Sequence, residues 1–463
     1  MTIIKTFFDT FGAVVIVPII IFLIALGFKV KPKKAFMSAL SAGVGLQGFN
    51  LLINAYSPIV TPIINKMVEE SGVNLPITDM GWQTTSIIAY STEIGMIFVG
   101  ICIVLQLVLF VTRYTNVFQA GDLWNNYSYM AWGSMLYILT GNLVMSIVLM
   151  ILLQLYTLLH AEFIGNRWSK YYSYPSCTIA SLHTATCGPY AVVMNWLLDK
   201  LGLYKVKADP ESFKKKLGFI GEPMTLGLML GLIIGIIGNF KHLGELAAWG
   251  EIMSCGIATA AVMAVFPKVS SIFAGSFGPI TEASKKTARG TKGEWFLAVN
   301  DATGYGESAT LISGIMLMPI TLLMAFILPG NQTLPMLDLV AIPYIIQPIV
   351  ASSNGNVVKS IISGAVWMAI GLYVCTFSSP LFTQVAQNVG IELAAGTMMI
   401  TSFVIFSHPL PCIIFYAFVS QNPLLIGLTF VVYVVLFVLF KKNKTAIYNW
   451  IETNANRAEE VAA

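Results

Sequence analysis

Gly141-Asn142-Leu143-Val144-Met145-Ser146-Ile147 and Gly355-Asn356-Val357-Val358-Lys359-Ser360-Ile361 lie at an offset of 214 and agree at five of seven positions. Further matches flank them. Asp122-Leu123 repeats as Asp338-Leu339 at an offset of 216. Ala89-Tyr90 followed by Glu93 resembles Gly304-Tyr305 followed by Glu307, each just before a long apolar run. His183-x-x-x-Cys187 with Tyr190-Ala191 resembles His408-x-x-x-Cys412 with Tyr416-Ala417, near offset 225. One such match is weak, because short apolar motifs recur by chance. Four in the same order at nearly one offset indicate two related halves.

The solvent of those halves follows from composition. Of 463 residues, 56% are hydrophobic and 10% charged, with a mean hydropathy of +0.77. A soluble domain carries about 25% charged residues, so lipid must cover most of this surface. Eleven runs approach the roughly 20 apolar residues that a bilayer helix needs. They are Gly12–Phe28, Ala35–Ala55, Ser86–Val111, Asp122–Leu139, Leu143–His160, Gly221–Phe240, Ala247–Phe266, Ser308–Leu328, Asp338–Ala351, Val357–Cys375 and Pro423–Phe440. Tyr174–Leu198 and Gly396–Val419 are also apolar but carry Gly, Pro and polar residues at their centres. These two read as re-entrant hairpins, since membrane backbone breaks only where protein or a watery cavity satisfies its polar groups.

Charge placement tests the count. With the N-terminus outside and each hairpin returning to its own side, 23 of the 26 Lys and Arg fall inside and only Lys5, Lys66 and Lys241 outside. That bias is what the positive-inside rule requires. Five spans and one hairpin then form each half, and an odd span number makes the second half inverted. Residues 1–199 form the first repeat, 200–220 a cytoplasmic connection, 221–420 the second repeat, 421–440 a final span and 441–463 a cytoplasmic tail. Pro58–Gly72 and Val269–Ala288 are amphipathic and expected along the membrane surface. The fold class is therefore all-α integral membrane. Inverted repeats of this kind build carriers whose site lies at the repeat interface near mid-membrane.

Ionisable residues within such spans are costly and mostly functional. The richest cluster is Asn300-Asp301-Ala302-Thr303-Gly304-Tyr305-Gly306-Glu307-Ser308. Its carboxylates, Asp301 and Glu307, can accept hydrogen bonds from polyol hydroxyls, with Tyr305 beside them; a solvated cytoplasmic turn is the bland alternative. Glu93 follows Trp82, Gln83 and Tyr90 in the third span. An aromatic face with an amide suits a sugar, whereas an interfacial aromatic belt needs no ligand. His183 with Thr184 sits at the tip of the first hairpin, and His408 similarly in the second; both are site candidates. Asn142 and Asn356 read as interhelical packing residues. Two ligands per hairpin make a poor zinc signature, so no metal is expected. The six scattered cysteines read as inert packing residues, and no removable signal peptide is read at the N-terminus. GxxxxGK[ST] is absent, which excludes an ATP-driven motor.

Gly81-Trp82, Gly121-Asp122-Leu123-Trp124, Phe219-Ile220-Gly221-Glu222-Pro223, Pro329-Gly330-Asn331-Gln332 and Gly355-Asn356 resemble the galactitol-type membrane subunit IIC of the bacterial phosphoenolpyruvate:sugar phosphotransferase system, grouped with the ascorbate-type permeases. The resemblance implies eleven spans, two hairpins, a homodimer in the bacterial cytoplasmic membrane, and an elevator-type core that carries a polyol inward. It implies no bound cofactor, because a separate IIB subunit, charged by IIA, supplies the phosphoryl group. Asp301 matches the presumed base of the ascorbate-type relatives, and His183 with Thr184 their substrate-binding hairpin. Nucleic acid is not an expected partner. The rival reading is an ion-coupled carrier that releases unmodified substrate.

Overall fold

The computed structural model describes residues 29–71, 75–119, 123–206, 208–211, 222–276, 295–391 and 398–457, with isolated positions between 15 and 27 and at 279. Eight of the seventeen residues of the first expected span, Gly12–Phe28, lie outside these residues. The described chain is mainly helix, and five of its helices contain windows long and apolar enough to cross a bilayer: Leu143–Tyr171, Leu246–Gly275, Ser308–Ile327, Val357–Asn388 and Pro423–Ala455. The last has only 17% of its apolar window buried, exposing Leu424, Val431 and Leu439. A face so apolar belongs against lipid.

The matched heptads begin two of these helices in the same way. Gly141 and Gly355 take positive φ angles of 67° and 72°. That left-handed turn costs glycine little. Each following Asn is the helix N-cap, and Asn356 also donates across the fold to the Val206 carbonyl. Asn142 Oδ1 accepts from Met145 N, and Asn356 Oδ1 from Lys359 N, both at 3.0 Å. Free amides in the first turn make Asn the favoured residue there.

The chain departs from all-α at its breaks. Among the described residues, six short strands form two parallel three-stranded sheets: β1 (Ile77–Asp79), β2 (Val117–Phe118), β3 (Cys177–Ile179), β4 (Phe296–Val299), β5 (Thr333–Leu334) and β6 (Met399–Thr401). Their orders are β5-β1-β6 and β2-β4-β3. Register pairs Ile77 with Thr333 and Met399 in one, and Leu297 with Phe118 and Cys177 in the other. Each sheet thus takes its middle strand from one half of the chain and its outer strands from the other. Pairing supplies the hydrogen bonds that a break in an apolar medium would otherwise leave unmade.

Both hairpins follow an outer strand. After β3 come Leu182–Ala185 and Gly188–Lys200; after β6 come Phe403–Phe406 and Pro409–Val419. Other expectations are revised. Pro58–Gly72 is not a separate surface segment, because one helix runs from Pro32 to Ser71 through Pro58 and Pro62. Val269 to Gly275 continues the helix from Leu246, and most of the remaining stretch to Ala288 lies outside the described residues. Asp338–Ala351 falls in one apolar helical run, Leu337–Ser352, made irregular by a 3₁₀ turn before Ile342–Ile345 and Gln347–Ser352. Ser86–Val111 breaks at Thr92, whose hydroxyl caps the second piece through Gly95 N. The helix from Pro423 kinks at Asn443, and the expected tail continues from there as helix to Ala455, anchored where Lys441 and Lys444 meet Glu162 at 2.8 and 3.1 Å.

A second group of helices packs on Pro223–Gly238. Gly227, Gly231 and Gly235 face Leu246–Gly275 so closely that a Cβ on Gly231 would lie 2.5 Å from the Cys255 carbonyl oxygen. Small residues at such a crossing let membrane helices gain close packing. Gly231→Val should part these helices and cost about 1–3 kcal/mol, read as a lower melting temperature in detergent. An unchanged melting temperature would show that the contact is not tight.

Candidate functional site

Asp301 lies between β4 and the short helix Ala302–Tyr305 and is fully buried. The first hairpin brings it three donors. Its Oδ2 accepts from Ser181 Oγ at 3.1 Å, Thr184 Oγ1 at 3.0 Å and His183 Nε2 at 2.8 Å. With a carboxylate at Nε2, that nitrogen carries the proton. Ser128 Oγ stands 2.7 Å from Nδ1 and donates to it when the ring is neutral. Four buried side chains therefore fix one another around Asp301, away from the surface, where such bonds are strong.

The main chain at Asp301 is held as firmly. Gln347 Nε2 donates to the Asp301 carbonyl, and Trp168 Nε1 to Gln347 Oε1 at 3.1 Å. Tyr174 Oη donates to the Thr303 carbonyl at 3.1 Å. Gly304 is required here, since a Cβ would run into the Gln347 amide. Aromatic rings border the cluster. Tyr127 lies 6.2 Å from His183 and 6.4 Å from Trp82, and His408 lies 6.4 Å from His183, between ring centroids.

Asp301, His183 and Thr184 thus meet, with Trp82 and His408 at the edge. Two other candidates are used elsewhere. Tyr305 donates to the Val340 carbonyl at 2.8 Å and packs on Tyr344. Glu307 is the N-cap of Ser308–Ile327, accepting from Ala309 N, Thr310 N and Thr310 Oγ1 at 2.9 Å each. A carboxylate is favourable at that helix end, so no ligand is needed to explain it. The Gln83, Tyr90 and Glu93 side chains lie outside the described residues. Among the described residues no three His, Cys, Asp or Glu side chains gather as a metal-ligand set.

The halves correspond at an offset of 221 around the site. Asn300 Oδ1 accepts from Ala302 N as Asp79 Oδ1 accepts from Gly81 N, and Leu182–Ala185 matches Phe403–Phe406. That offset sets Asp301 against Met80, and Ser181, His183 and Thr184 against Ser402, Val404 and Ile405. His408 is not the counterpart of His183, and the cap matching Glu307 is Thr92, not Glu93.

Sequence reasoning missed Ser128, Ser181 and Gln347, which carry no charge to mark them. It also missed the Asp79 and Asp338 side chains, although both are ionisable residues in apolar surroundings. Asp79 accepts from the amides of Gly81, Phe403, Met336 and Asp338 at 2.8–3.1 Å. Asp338 accepts from Trp82 N at 2.9 Å, Val404 N at 2.9 Å and Ser402 Oγ at 2.7 Å. Together they tie β1, the turn after β5 and the start of the second hairpin.

A family model for the PTS system sugar-specific permease component matches residues 6–396. The chain belongs to this family. Similar curated proteins agree with it. The permease is 27% identical over 414 residues to the "PTS system galactitol-specific EIIC component" of Escherichia coli (strain K12), covering 89% of this chain and 90% of that protein. The protein of the same description from Escherichia coli O157:H7 gives the same figures. A "Putative permease IIC component" of Escherichia coli (strain K12) is 28% identical over 396 residues, covering 84% of this chain and 88% of that one. The permease is therefore a multi-pass membrane component of a phosphotransferase system, working with IIA and IIB components on a sugar or polyol.

The Asp79 and Asp338 bonds give this permease a test of stability. Asp338→Asn replaces one accepting oxygen by an NH₂ that faces a donor. Leaving buried donors unpaired costs about 1–3 kcal/mol. The variant should melt at lower temperature in detergent, and wild-type melting would rule out a structural role for the carboxylate.

Proposed function

We propose that this permease binds galactitol or a closely related polyol and carries it inward to a phosphorylated IIB subunit. The carrying observation is the buried carboxylate of Asp301 bonded by Ser181, His183 and Thr184. A polyol hydroxyl is the same kind of donor as the two hydroxyls already on Oδ2. In this reading His183 and Thr184 bind substrate, with Trp82 and His408 at its margin.

Phosphoryl transfer asks little covalent chemistry of the protein and much positioning. The polyol oxygen attacks phosphorus on the IIB phosphocysteine, the S–P bond breaks, and the cysteine leaves as thiolate. The hydroxyl proton passes to Asp301, which acts as general base. Ser128 orients His183, and Gln347 holds the Asp301 main chain. The permease contributes no cofactor to this step.

The architecture we propose is two inverted repeats, 1–199 and 221–420, each of five spans and one hairpin, followed by an eleventh span at 421–440. The exchange of strands between halves, the paired Asn caps at an offset of 214 and the correspondence at 221 around the hairpins support it. Elevator motion, a homodimer, and an N-terminus outside with the C-terminus inside the bacterial cytoplasmic membrane rest on the resemblance and the charge bias. Ion coupling through Asp79 and Asp338 is disfavoured, because their oxygens already accept seven hydrogen bonds from the chain.

In membrane vesicles, galactitol uptake should require phosphoenolpyruvate and the soluble phosphotransfer proteins, and the product should emerge phosphorylated. Accumulation of free galactitol on an ion gradient alone would overturn the proposal. Asp301→Asn should lower phosphorylation by about 10²–10⁴-fold, the usual worth of a general base, while galactitol binding stays measurable. Normal turnover would remove Asp301 as base. His183→Ala should weaken binding, whereas His160→Ala, which loses the 2.7 Å bond to the Tyr156 carbonyl and the stacking on the Tyr156 ring, should alter it little.

A further inference from the structure

Beside the Asp301 cluster lies a second group of buried polar atoms. His408 is fully buried at the break before Pro409–Val419. Its Nε2 stands 2.8 Å from the Val404 carbonyl. That carbonyl can only accept, so Nε2 carries the proton and Nδ1 is a bare acceptor. Nδ1 has no hydrogen-bond partner among the described residues, nor do the Trp367 indole nitrogen and the neighbouring Ser407 hydroxyl. Trp367 is 6% exposed and Ser407 2%. The Trp367 ring centroid lies 6.0 Å from that of His408, which in turn lies 6.4 Å from His183.

Unpaired buried polar groups are rare in folded proteins, and each requires an explanation. Three on neighbouring side chains, one ring away from the Asp301 cluster, share one. Their chemistry is mixed, comprising an acceptor (His408 Nδ1), a donor (Trp367 Nε1) and a hydroxyl that can do either. A ligand with a single polar group could answer only one of them. A polyol presents a row of hydroxyls, each both donor and acceptor, and can engage Asp301 at one place and this group at another. Tyr190 backs the indole at 4.6 Å between centroids and fixes its plane.

We infer that Trp367, Ser407 and His408 form a second hydroxyl-binding subsite, which selects the length and stereochemistry of the polyol whose reacting hydroxyl lies at Asp301. This rests on the polyol reading above. It assigns recognition to the second hairpin and its neighbouring helix, while the proton-transfer chemistry stays with Asp301. The position of His408 relative to His183 follows the same division, since the two are not repeat counterparts.

Trp367→Phe removes the N–H and keeps an aromatic ring. Equilibrium binding of galactitol and of its monodeoxy analogues should be measured on the full-length protein in detergent, with melting temperature as control. The variant should melt like wild type and bind galactitol about 3–10-fold more weakly, the worth of one neutral hydrogen bond. One monodeoxy analogue should bind wild type correspondingly weakly and lose nothing more in the variant, because both changes remove the same contact. Unchanged galactitol affinity, or losses that add for every analogue, would overturn the subsite. If Trp367→Phe melts early, His408→Gln is read by the same analogue test and the same two outcomes. Failure of wild type to bind galactitol would instead overturn the polyol reading itself.

Discussion

A polypeptide that breaks its helices inside an apolar slab must find partners for the amides and carbonyls those breaks release. In this permease the partners are other breaks. Two sheets of very short strands collect the freed backbone from both halves, and the Asp79 and Asp338 carboxylates take seven further donors around one of them. Irregular backbone becomes tolerable at depth, and irregular backbone is where Asp301, His183 and His408 sit. The site exists because the breaks are satisfied, and the Asp301 cluster is built on the strand ends that satisfy them.

The correspondence between the halves is close in the main chain and loose in the side chains. At an offset of 221 Ser181, His183 and Thr184 of the earlier segment stand where Ser402, Val404 and Ile405 stand in the later one, and Asp301 has Met80 as its counterpart. Two similar frames therefore meet, but only the one at the first hairpin places its histidine against a carboxylate, while His408 of the other bonds the Val404 carbonyl. The other frame commits its serine to Asp338 at 2.7 Å, a structural bond. The matching strand-and-helix segments supply a common frame, and the residues that differ between them make up the candidate site.

Much of this was readable from residues alone. Asp301, His183 and Thr184 stood out because charge and polarity are costly in apolar runs, and the Gly-Asn pairs marked two helix starts. Their capping role was missed, because spacing does not tell an N-cap from an interhelical contact. The strands were invisible, since a segment such as Ile77–Asp79 is too short for alternation to register. Glu307 is ambiguous for a related reason, as a carboxylate before a helix serves a cap as well as a ligand. Ser128, Ser181 and Gln347 are uncharged, and their importance arises only from contacts made across 55, 120 and 46 positions.

The interleaved sheets bear on biogenesis. A chain is made from its N-terminus, so β1 enters the membrane before either of its neighbours, β5 and β6, has been synthesised. Likewise β2 and β3 wait for β4, which lies far later in the chain. Helices of the first half can insert one by one, but their broken centres must stay in provisional pairings until the second half arrives. The final packing of this permease is therefore an event of the completed chain, and its two halves are obligate partners in assembly.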